Sequence, residues 1–99
     1  MQTIDTLIQD TMKEVASKYA EFHKNKIMRA FSDNYIVDKA QERIIKFNLL
    51  DIEAHDADNM YAYYQIVTQI KVGEEWTKGN DCTVKINLVS YEMDTTTLN

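Results

Sequence analysis

From Ile4 to Phe31 apolar residues recur every three or four positions, and no other feature restricts the fold of this chain as strongly. Ile4, Leu7, Ile8, Met12, Val15, Tyr19, Phe22, Ile27, Ala30 and Phe31 mark one face of an α-helix, because 3.6 residues per turn return a side chain to the same side at those intervals. Thr3 is placed to cap the start, Asp5 lies in the first turn and Arg29 near the far end, and Ser32-Asp33-Asn34 reads as a stop. The spacing predicts a long amphipathic helix over 3–31, either continuous or broken at Lys24-Asn25-Lys26, near residue 25.

After the charged stretch 38–42 the pattern becomes β-rich. Arg43 to His55, Met60 to Val72 and Cys82 to Met93 are rich in β-branched and aromatic residues and alternate as strands do. Asp56-Ala57-Asp58-Asn59 reads as a tight turn, and 73–81, which holds both glycines, as a longer connection. The expected fold is α+β: the helix packed on a three- to four-stranded antiparallel β-meander, in a single domain over 1–99. Thr95 to Asn99 is expected to fray.

With the loop at 56–59, Leu49 faces Ile66, Phe47 faces Thr68 and Ile45 faces Ile70. Pairing Val72 with Cys82 adds Val84, Ile86 and Leu88 to the same side. This is the expected core face, met by Leu7, Val15, Tyr19 and Phe22 of the helix. The same registers gather Leu50, Ile52, Ala54, Tyr61, Tyr63, Val89, Tyr91 and Met93 on the opposite face, an apolar patch of several hundred Å² by the usual measure of such surfaces. Either Tyr35-Ile36-Val37 or a broken helix folds over that patch, or a partner covers it, since Tyr and Met are enriched at interfaces. Trp76, in a polar glycine-bounded stretch, is read as an exposed anchor for a partner or as a ring tucked onto the sheet end.

Sixteen acidic against eleven basic residues leave a net charge of −5, and the basic residues are scattered. Nucleic acid is therefore not expected as a direct partner, because phosphate recognition needs clustered Lys and Arg. Lys24, Lys26 and Arg29 read as a solvated helix face. Glu53, Asp56, Asp58, Glu74, Glu75 and Asp81 form the acidic surface that would attract a basic partner, although 56–59 and 73–81 stand at opposite ends of the sheet. No apolar run approaches membrane-spanning length, and Asp5 and Asp10 do not fit a signal peptide. The lone Cys82 excludes a disulfide within the chain and leaves the cytoplasm as the expected compartment.

His23, His55 and Cys82 have no zinc-site spacing, and Asp51, Glu53, Asp56 and Asp58 lack the glycine and closing glutamate of a calcium loop. Two glycines cannot build a phosphate-binding loop. The expectation is a protein without metal, cofactor or catalysis. The residue usage is that of an AT-rich genome, and small acidic domains of this style are frequent among bacteriophage accessory proteins that inhibit host defence. The first expectation for function is thus a module that inhibits or sequesters a host protein, such as a nucleic-acid-binding defence protein. The second is a homo-oligomeric structural or assembly subunit, a homodimer in the simplest case. The third is a small-ligand domain with its pocket between helix and sheet.

Overall fold

The computed structural model describes residues 4–97, with side-chain surroundings from 11 to 95. Two helices, α1 (Ile4–Phe22) and α2 (Lys24–Tyr35), precede four strands, β1 (Glu42–Asp56), β2 (Asn59–Val72), β3 (Glu75–Asn87) and β4 (Met93–Thr97). The strands form one antiparallel sheet in the order β1-β2-β3-β4. The fold is α+β, with two helices where a long helix, continuous or broken near residue 25, was expected.

The helices meet at His23, two residues before the expected break. Its φ of −102° and ψ of 16° leave the helical region. The backbone ladder nevertheless carries through, since His23 N donates to Tyr19 O at 2.9 Å and Ile27 N to His23 O at 3.0 Å. α2 continues past the expected stop to Tyr35. Asn34 does not end it, because its amide turns back to donate to Ala30 O at 2.9 Å, an interaction made within a helix.

Ala16 and Ala20 of α1 and Ile27 and Phe31 of α2 are buried, and their spacing follows one helical stripe. The expected contact residues lie beside that stripe: Val15 is 47%, Tyr19 38% and Phe22 85% exposed. Leu7 lies outside the residues whose side chains are described. The reason is steric: alanine methyls let a helix axis approach a sheet whose inward residues, Met60, Tyr64 and Ile66, are themselves large. Hydrophobicity alone favours the bulky neighbours and is blind to that closeness.

β-bulges decide which sheet residues face inward. β1 pairs with β2 through three register shifts, between Ile44 and Lys46, Leu49 and Asp51, and Ala54 and Asp56. Each adds one residue to β1, and each extra residue reverses the sidedness of the residues after it. Phe47 consequently faces Ile66, Leu49 faces Tyr64, and Ile52 and Ala54 turn into the core. The Phe47 and Tyr64 rings stack at 4.5 Å, and burial pushes the Tyr64 hydroxyl pKa up to about 12.

The second hairpin also differs from expectation. Gly73 and Glu74 form a two-residue turn, with Gly73 at φ +63°, and Val72 pairs with Glu75, so most of the expected 73–81 connection is strand. Cys82, Val84, Ile86 and Leu88 are buried as expected, while Ile70 and Leu49 remain 37% and 46% exposed. The third run stops at Asn87, whose Oδ1 accepts Val89 N and Ser90 N and turns the chain back. Residues 93–97, partly expected to fray, return as β4 along β3. The molecule measures 59 × 23 × 19 Å.

Candidate protein-interaction surfaces

The expected apolar face is divided by these shifts. Ile52 is core, 8% exposed, and Ala54 is buried beside it. Leu50, the unpaired residue of the second bulge, is 54% exposed on the sheet edge. Tyr61 and Tyr63 stay on the face away from the helices, half-buried. Val89 lies exposed in the turn after β3. Tyr91, at φ +63°, and Met93 both pack against the helix-side core. The eight residues therefore do not share one face.

Trp76 is neither free nor tucked under the sheet. It stands in β3 opposite Lys71, with the Arg43 guanidinium 4.1 Å from its ring centre, a cation–π contact.

Around Tyr63 the outer face is polar and internally satisfied. The Tyr63 hydroxyl donates to Glu53 Oε2, His55 Nε2 lies 2.6 Å from Glu53 Oε1, and Lys85 Nζ sits 4.4 Å above the Tyr61 ring. The acidic residues are dispersed over the molecule. Asp56 is occupied in its own turn by Asp58 N and the Asn59 amide, Asp81 accepts from Gln65, and Glu74 lies in the far turn. Asp58 is exposed beside Asp56, and Glu75 opens β3.

β1 forms one edge of the sheet over fifteen residues, with β2 on one side and, among the described residues, no strand on the other, where Lys13 of α1 shares a hollow with Leu50, Asp51 and Glu53. Ile45 and Leu50, left unpaired by the bulges, are 52% and 54% exposed along it, together with Leu49. On the outer face β1 presents Arg43, Lys46, Asn48, Asp51 and Glu53, which pair with Gln69, Val67, Gln65, Tyr63 and Tyr61. Sequence reasoning missed this charge order because the bulges that bring the five residues onto one face leave no mark in a period of two.

Two other features bear on ligands. Between α2 and the sheet lie a cavity of about 200 Å³, lined by Phe31, Glu42, Thr68, Asn80 and Cys82 among others, and a more open hollow of about 410 Å³, lined by Met28, Arg29, Ile36, Glu42 and Ile44 among others. Among the described residues no group of three or more His, Cys, Asp or Glu side chains is placed to hold a metal ion, and no helix is long and apolar enough to cross a membrane. In comparisons with known proteins, no family model, curated protein or solved structure matches this chain.

Proposed function

We propose that the chain is a protein-binding module that docks through the β1 edge and acts by occupying or sequestering its partner. The supporting observation is that edge: fifteen residues with no strand paired on their outer side among the described residues, carrying Ile45, Leu49 and Leu50 about half exposed. Unpaired backbone N–H and C=O groups along an edge template the addition of another strand, and flanking side chains select which strand is accepted. The polar network on the outer face contributes less, because Glu53 is already engaged by Tyr63 and His55 within the chain.

A photo-reactive amino acid at Leu50, and another at Glu74 in the far turn, test this reading in cells of the source organism producing the full chain. Cross-linking to another polypeptide is expected from position 50 and not from 74. Adducts from 74 alone, or from neither, would remove β1 as the docking edge.

A further inference from the structure

We infer that the partner of β1 is a second copy of this chain, the two β1 edges running antiparallel about a two-fold axis at Asn48 and joining two four-stranded sheets into one. This inference rests on the reading of β1 as a docking edge. It follows from the order of charge along the strand. Arg43, Lys46, Asn48, Asp51 and Glu53 succeed one another on the outer face as two cations, a neutral amide and two anions. An antiparallel copy centred on Asn48 sets Lys46 of each chain beside Asp51 of the other and Arg43 beside Glu53, and symmetry makes each pair twice. A parallel copy would place like charge on like. So would a slide that brought Lys46 or Asp51 opposite itself, which makes the charge order a register device as well as an attraction.

The inner pair is available for this role. Among the described residues neither Lys46 nor Asp51 has an ion-pair partner within the chain. Arg43 is engaged by Gln69 and Trp76, and Glu53 by Tyr63 and His55. Asp51 uses one oxygen to accept Ile52 N at 2.8 Å. The bulges fit the same axis. The lengthened step from Asn48 to Asp51 meets the regular step from Asn48 to Lys46 in the other copy. The lengthened step from Arg43 to Lys46 likewise meets the regular step from Asp51 to Glu53. Two residues against one is the opposition that defines a bulge, and β1 already meets β2 in that way. Ile45 and Leu50, extra residues in those lengthened steps, lie at the seam where a second chain would cover them.

The test is the solution mass of the full chain at low salt from about 1 to about 100 µM, a range that reaches weak strand-to-strand dimers. A dimer is expected. Lys46→Asp and Asp51→Lys should each weaken it about tenfold or more, because each opposes like charges at two symmetry-related places. Both variants should keep the wild-type circular dichroism, since both side chains are exposed. Mixing the two variants should restore a dimer containing one chain of each, in which every charge again faces its opposite. A wild-type chain that remains monomeric at the top of this range overturns self-pairing. If position 50 then cross-links to a different protein, the docking edge stands without self-pairing; if it cross-links to nothing, both readings fall. A dimer indifferent to either reversal, or variants that do not recombine when mixed, overturns the axis at Asn48.

Discussion

The Tyr63 hydroxyl donates to Glu53 Oε2 at 2.5 Å, linking β2 to β1 on the face away from the helices. That bond first, the His55 hydrogen bond second, and the charge of Lys85 after them hold the Glu53 carboxyl below its ordinary pKa, and the same bond raises that of Tyr63. Tyr63→Phe should therefore move the Glu53 titration up towards the ordinary carboxylate range. A folded-state pKa below the unfolded one contributes stability that is present at neutral pH and lost as the pH falls through the folded value. In the variant that contribution should be smaller, and its loss on acidification should be complete at a higher pH. Carbon-13 carboxyl titration by NMR reads the shift; an unmoved Glu53 would mean that the hydroxyl does not hold it in solution.

Ala16→Asp should unfold the domain or cost about 3 kcal/mol or more, because it buries an unpaired carboxylate under a helix that approaches the sheet through a methyl group. Val15→Asp, one residue away and 47% exposed, should stay within about 0.5 kcal/mol of wild type. Urea midpoints with circular dichroism as the signal separate the two. Equal effects would place the buried stripe elsewhere on α1.

Gly79→Ala should destabilise the sheet by about 1–3 kcal/mol, the usual cost of overpacking. A Cβ at Gly79 would meet Thr68 Oγ1 at 2.6 Å and the Thr68 carbonyl oxygen at 2.8 Å, and Thr68 is buried with its hydroxyl donated to Glu42 and accepting Asn80 N. Gly73→Ala meets nothing within 4 Å and suffers only from φ +63°, about 1 kcal/mol. Denaturant midpoints should fall in that order with slopes unchanged. A tolerated alanine at 79 would mean that β3 can shift away from Thr68.

Much of the architecture is legible in the residue pattern, and the departures from it share a cause. The turn at 56–59 is readable because Asp56 serves its own turn, accepting Asp58 N at 2.9 Å, as Asx residues do locally. The inward row Cys82, Val84, Ile86 and Leu88 is readable because β3 runs without a shift from Asp81 to Asn87. Ile52 and Tyr63, by contrast, share one face under strict alternation and stand on opposite ones, since the bulge between Leu49 and Asp51 reverses β1 before Ile52. Tyr91 and Met93 continue the third strand in the sequence pattern, whereas the Asn87 side chain ends β3 through bonds no periodicity records.

The helix-then-sheet order, the antiparallel meander, the first hairpin turn and the inward row of β3 can be read from the residues alone, because periods of 3.6 and 2 and the local bonding of Asx residues are properties of neighbours along the chain. That α1 buries Ala16 and Ala20 in place of Val15 and Tyr19 emerges only when the elements pack. So does the placing of the β1 bulges, and hence the sharing of one face by Arg43, Lys46, Asn48, Asp51 and Glu53. Those outcomes depend on how closely a helix can approach particular side chains across the core and on how a fifteen-residue strand matches the pairing of a fourteen-residue neighbour. Such distances exist only between residues remote in sequence.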